Sequence, residues 1–262
     1  MSDFVFPRDR QALIGVVHLK PLPGAPRFAG DIDSIVQAAV KDVQAYAKGG
    51  ADAVVIENFG DIPFTKGAVL PETVAAMAAC GCAVGETISL PIGFNVLRND
   101  PRAALALCAA TSGSFIRVNV HSGAMLTDQG LIEGDAFGTL RLRKSLGLSA
   151  AIFADVHVKH ATPLGNQTLE DAARDTLERG MVDALVVSGV GTGLATDPVE
   201  VERVRQACPD ARIVLGSGVN EKNVSRFADL ADGFIVGSSL KRGGRLDAAV
   251  DPRRVEKLRS KL

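Results

Sequence analysis

The stretch Leu13-Ile14-Gly15-Val16-Val17-His18-Leu19-Lys20-Pro21-Leu22-Pro23-Gly24 decides the fold. Its first seven residues form a short apolar run rich in Val and Ile, the composition of a strand buried on both faces of a parallel sheet. An open doubly wound sheet places a glycine-rich phosphate turn directly after such a strand. Here Lys20-Pro21-Leu22-Pro23-Gly24 follows, which does not form that turn. Seven further runs of the same kind occur at Ala53–Ile56, Pro91–Val96, Phe115–Val120, Ala150–Val158, Ala184–Val187, Arg212–Leu215 and Gly233–Val236. Helical patterns separate them. Ile32, Ile35, Val36, Ala39, Val40 and Val43 repeat at helical spacing, and Asp100-Pro101, Asp197-Pro198 and Asp251-Pro252 each set an N-cap acid before a proline suited to a first turn. Eight strand–helix units in 262 residues predict an α/β fold, a closed (β/α)8 TIM barrel. No linker or low-complexity tract interrupts residues 1–262, which are read as one domain with its barrel core over about residues 13–240.

Composition narrows the function. The chain is 47% hydrophobic and 23% charged, a globular balance. Its 29 basic and 30 acidic residues leave a net charge of −1, with no Trp and one Tyr, so neither the charge nor the stacking groups of a nucleic-acid binder are present. The longest stretch free of Asp, Glu, Lys and Arg, Ala103–Ile116, is 14 residues, short of the roughly 20 that span a bilayer. Residues 1–10 lack the apolar core of a signal peptide. Cys80, Cys82, Cys108 and Cys208 have no CxxC spacing and are expected as buried, reduced thiols. These features predict a cytoplasmic protein without an integral membrane segment, and a homo-oligomer is compatible with them.

The long connections all follow strands, which in a barrel places them on the C-terminal face where active sites are built. All four histidines, His18, His121, His157 and His160, fall at or just past strand ends. Period-two alternation puts Asp155, His157 and Lys159 on one face of the fifth strand, and Arg117, Asn119 and His121 on one face of the fourth. His18 pairs with Lys20, one of Glu57 and Asn58 points inward, and Asn95 ends the third strand. Such groups cannot sit unpaired in an apolar barrel. They form either a reactive rim or a plug of ion pairs.

Glycine-rich turns follow the last three strands: Ser188-Gly189-Val190-Gly191-Thr192-Gly193, Gly216-Ser217-Gly218-Val219-Asn220 opening a helix, and Gly237-Ser238-Ser239-Leu240-Lys241. Glycines let backbone N–H groups approach an anion. The predicted phosphate grip is Ser188, Gly189, Gly191, Gly193, Gly216, Ser217, Gly218, Gly237 and Ser238, assisted by Lys241.

Gly15–Gly24, Glu57-Asn58-Phe59-Gly60-Asp61 with Pro63-Phe64, Asp155–His160 and Val187-Ser188-Gly189 with Gly191-Thr192-Gly193 together resemble the BtpA/SgcQ family, over about Gly15 to Lys241. The resemblance implies a barrel similar to the ribulose-phosphate-binding superfamily. One family namesake is implicated in photosystem I biogenesis, and the other belongs to a sugar-metabolism gene cluster. It supplies no residue-by-residue mechanism.

Two functions follow. The first is an enzyme acting on a small phosphorylated metabolite, a sugar phosphate, by proton transfer beside a carbonyl: an isomerase, an epimerase or an aldolase. His18, Glu57, Asp155, His157 and Lys159 are its expected catalytic residues. Lys20, Asn58, Asn95, Arg117, Asn119 and His121 are the expected substrate contacts. A Schiff base on Lys159 needs a depressed pKa, which pairing with Asp155 would prevent. No cofactor is required. His18, Glu57, His121, Asp155 and His157 are compatible with a divalent metal but lack the HxH and HExxH spacings. The alternative is a non-catalytic assembly factor for a membrane complex, which would not need Asp155, His157 and Lys159 together.

Overall fold

A computed structural model of the chain describes residue 4, residues 6–189 and residues 196–262. In chain order its strands are β1 (Ala12–His18), β2 (Ala53–Glu57), β3 (Ile92–Asn95), β4 (Phe115–Val118), β5 (Ala124–Thr127), β6 (Gly130–Glu133), β7 (Ala151–Val156), β8 (Ala161–Pro163), β9 (Ala184–Val187), β10 (Ile213–Leu215) and β11 (Gly233–Val236). Eight of them close a parallel barrel in the order β1-β11-β10-β9-β7-β4-β3-β2. These are the eight strands read from the sequence. The helices are α1 (Ile32–Lys48), α2 (Pro71–Thr87), α3 (Pro101–Thr111), α4 (Ala136–Ser145), α5 (Leu169–Arg174), α6 (Pro198–Ala207) and α7 (Pro252–Arg259).

The barrel interior is a separate apolar cluster from the layer between strands and helices. Ile14, Val16, Val55, Phe153, Val186 and Val214 point inward, and Phe4 closes the bottom against Phe115 and Phe153, with ring centroids 5.2 and 5.3 Å away. The N-terminal face is fastened by a repeated device. Asp52, Asp183 and Asp232 each precede a strand. Each donates its own N–H to a carbonyl of the preceding strand and accepts, through its carboxylate, an N–H of that strand at 2.8–2.9 Å. Arginines complete each site, as Arg205 and Arg212 do at Asp232. The predicted N-caps are in place: Asp100, Asp197 and Asp251 accept from Ala103, Val199 and Arg253 N–H.

Three features depart from the sequence reading. Residues 124–133 form a β5–β6 hairpin, which β8 joins as a small antiparallel sheet over the C-terminal face. The turn after β10 opens no α-helix; only a short 3₁₀ turn, Val224–Phe227, occupies that position. Asn220 and Asn223 side chains bond Lys222 N–H, Asn220 N–H and the Gly218 carbonyl, competing with helical backbone bonds. Cys80, Cys108 and Cys208 are buried, but Cys82 is exposed. Among the described residues no helix is long and apolar enough to cross a membrane.

Candidate functional site

The C-terminal mouth of the barrel holds two connected chambers. The smaller, about 80 Å³, lies at the ends of β1, β10 and β11 and is walled by His18, Gly216, Ser217, Gly218, Gly237 and Ser238. The larger, about 420 Å³, lies over β2 to β4 and is walled by Asn95, Arg98, Asn119, Gln129 and His160, with apolar cover from Phe59, Ile62 and Phe64. Glu57, Arg117 and Lys159 line both and so stand at their junction.

The small chamber is made of backbone. The N–H groups of Ser217, Gly218, Gly237 and Ser238 have no hydrogen-bond partner among the described residues. Ser217 Oγ accepts from Gly189 N–H at 3.0 Å, tying the turns after β9 and β10 together. A Cβ on Gly237 would stand 2.4 Å from the His18 ring, and one on Gly216 2.4 Å from Ser188 Oγ, so close approach requires glycine at both. Gly191 and Gly193 lie outside the described residues. Lys241 is absent from this chamber. It is buried with Nζ 3.6 Å from Asp42 on α1, facing a groove beside that helix, because the 3₁₀ turn at Ser238–Leu240 carries it past the mouth.

Beneath the junction, Asp155 is fully committed. Arg117 grips it with Nε and a terminal NH₂ at 3.0 and 2.8 Å, Ser188 Oγ donates at 2.9 Å, and Asn119 Nδ2 donates at 3.2 Å. Burial opposes the charge on Arg117, but the Asp155 carboxylate outweighs it and holds the guanidinium's pKa above its usual value. Asn95 Nδ2 donates to the Arg117 carbonyl and to Asn119 Oδ1, both at 3.0 Å.

Lys159 differs from Arg117. Its amine has no hydrogen bond or ion pair among the described residues. Burial, followed by the positive charge of Arg117, lowers its pKa, while Glu57 and Asp155 pull the other way. His18 is neutral: burial, then Lys241 and Lys159, push its pKa down to about 3. Its Nδ1 is buried without a partner, and its ring meets Phe59 edge-on at 5.0 Å.

The structure does not bring all the expected residues to the mouth. His157 has φ +52°, which ends the two-residue alternation at Asp155. Only Asp155 and Lys159 of that trio serve the site; His157 lines neither chamber, and the charges acting on it are Arg203 on α6 and Glu170 on α5. His121 lies beyond the end of β4 and bonds the Gly180 carbonyl at 2.9 Å. Asn58 turns outward to hold Leu97, accepting its N–H at 2.7 Å, while Glu57 points in. Lys20 is exposed at the groove beside α1. Conversely, the sequence reading missed Arg98 and Gln129. Arg98 directly follows β3, so a charged residue in a post-strand loop was the available signal; Gln129 belongs to the unforeseen hairpin. Among the described residues no group of three or more His, Cys, Asp or Glu side chains is arranged to hold a metal.

Residues 9–262 match the profile of the BtpA family. The chain belongs to the BtpA family. It is 47% identical to an uncharacterized protein of Thermococcus kodakarensis, with 95% of this chain and 94% of the relative covered. It is 44% identical to the photosystem I biogenesis protein BtpA of Synechocystis, covering 93% and 85%. In three dimensions this BtpA-family chain is similar to phosphoribosyl anthranilate isomerase of Thermus thermophilus, with a TM-score of 0.56 over 96% of this chain and 98% of that one. Their 12% identity makes this a likeness of fold alone.

Proposed function

We propose that this protein is an enzyme acting on a small phosphorylated metabolite, with proton transfer beside a carbonyl as its chemistry. One observation carries the reading: a chamber of unpartnered backbone N–H groups opens directly onto Glu57 and Lys159. Convergent backbone donors suit a phosphate. The wider chamber then receives the sugar portion, with its carbonyl at the junction. There the Glu57 carboxylate moves a proton at the adjacent carbon and the Lys159 amine meets the developing enediolate oxygen. Neutral His18 offers a hydrogen bond without adding charge. Asp155 is a positioning residue, fixing Arg117 and Asn119 from below. Lys159 is not spent on Asp155, and burial favours its neutral form, the form that adds to a carbonyl. Borohydride reduction in the presence of a carbonyl substrate separates a covalent imine, which leaves a stable adduct on Lys159, from an oxyanion contact, which leaves none. The phosphorylated substrate of the isomerase similar in fold agrees with this reading.

The test is ligand-induced stabilisation by a panel of sugar phosphates, which reports binding through mass action. Ser217→Asp places a like charge against the phosphate and is expected to abolish the response; an unchanged affinity in calorimetry overturns the phosphate assignment. The cyanobacterial relative's name favours a second reading, an assembly factor for a membrane complex. That reading predicts a biological role that survives replacement of both Glu57 and Lys159.

A further inference from the structure

We propose that the substrate carries a carboxylate at the end remote from its phosphate, and that Arg98 is the residue that binds it. This rests on the phosphorylated-metabolite reading above and narrows it to a phosphorylated hydroxy acid. Arg98 follows β3 and is only 5% exposed, yet it lines the wider chamber. One terminal NH₂ donates to the Lys159 carbonyl at 2.6 Å. Its guanidinium has no other hydrogen bond and no ion pair among the described residues. The other buried cations are treated differently: Arg117 has Asp155, and Lys241 has Asp42. Of the carboxylates lining the mouth or lying beneath it, Asp155 is taken by Arg117, Ser188 and Asn119; Asp128 sits exposed on the hairpin tip, accepting from Gln129; and Glu57 stands at the junction. A buried guanidinium without a counter-ion is costly, and its planar fork matches a carboxylate in two parallel hydrogen bonds.

An independent atom points to the same ligand. Asn95 is 1% exposed and its Oδ1 is buried without a donor. The amide cannot be turned round, because Nδ2 already donates to two acceptors, the Arg117 carbonyl and Asn119 Oδ1. Oδ1 therefore awaits a donor from a ligand in the wider chamber. A hydroxyl beside the carboxylate supplies it. A neutral-ended sugar phosphate would leave Arg98 without an anion, whereas a phosphorylated hydroxy acid satisfies both residues while its phosphate lies in the small chamber.

The experiment is calorimetry on the full chain with D-gluconate 6-phosphate, D-glucitol 6-phosphate and unphosphorylated D-gluconate. The acid phosphate is expected to bind at least tenfold more tightly than the glucitol phosphate. In Arg98→Gln that preference is expected to fall below threefold, the acid phosphate losing more affinity than the glucitol phosphate. Arg98→Lys, which keeps the charge but not the fork, is expected to retain part of the preference, and it replaces Arg98→Gln if thermal melts show that variant unfolded. Equal wild-type affinities for the two phosphates, or an equal loss of both in Arg98→Gln, overturn the Arg98 assignment and leave the phosphate site standing. Gluconate binding as tightly as its phosphate, and lost in Arg98→Gln, supports Arg98 while overturning the phosphate site. No binding of any of the three overturns both.

Discussion

Asp155→Asn and Lys159→Met are isolated changes to two neighbouring charges, and the geometry assigns them opposite consequences for stability. The Arg117–Asp155 pair is bidentate, with side chains 3% and 0% exposed. Removing the carboxylate leaves a guanidinium buried without its counter-ion, a loss of about 3–5 kcal/mol. At roughly 2.1 cal/mol/K per residue, a chain of 262 residues has an unfolding entropy of about 0.55 kcal/mol/K, so the expected fall in Tm is roughly 5–9 °C. Lys159 has no ion pair to lose, and replacing it with methionine removes the cost of burying its charge. Its Tm is expected to hold within about 2 °C of wild type or to rise. Scanning calorimetry of both variants at neutral pH measures the contrast. Equal destabilisation of the two, or a neutral Asp155→Asn, would refute the division between a structural ion pair and a site lysine.

Acid stability tests His18. Below pH 6.5 the unfolded chain takes up a proton on this imidazole that the folded chain refuses until about pH 3, so stability rises with pH across that window. His18→Gln is expected to flatten the acid limb of a denaturation profile, and an unaltered limb contradicts a buried neutral imidazole. Gly237→Ala drives a methyl into the His18 ring and is expected to weaken sugar-phosphate binding at least tenfold in calorimetry; full affinity would show that the small chamber does not hold the ligand. His157→Gln is expected to leave ligand-induced stabilisation intact, since its ring lines neither chamber, and loss of that response would return His157 to the site.

The barrel was legible because each of its eight strands is a short apolar run containing Val or Ile, and the inward set from Phe153 to Asp155 follows from alternation alone. The hairpin was not legible, since β5 and β6 are as short as several barrel strands but half exposed, and lack the continuous buried apolar run that marks those. At the site, counting along strands puts Arg117, Asn119 and Asp155 on inward faces, and the structure sets them at or beneath the mouth; for Glu57 and Asn58 the count leaves open which one points in, and the structure turns Glu57 inward. His157 and His121 line neither chamber, because the count runs the strands to Val158 and Val120, whereas β7 ends at Val156 and β4 at Val118. One left-handed residue redirects everything after it, and no pattern of residue types announces it. Lys159 nonetheless reaches the junction, held in part by the bond from Arg98 to its carbonyl.

The most direct test of the central claim is a crystal structure of the protein with D-gluconate 6-phosphate bound. The account predicts the phosphate oxygens accepting from the Ser217, Gly218, Gly237 and Ser238 backbone N–H groups, with the carbon chain passing between Glu57 and Lys159. A phosphate bound instead in the groove between α1 and Lys241, with the small chamber left empty, would contradict it.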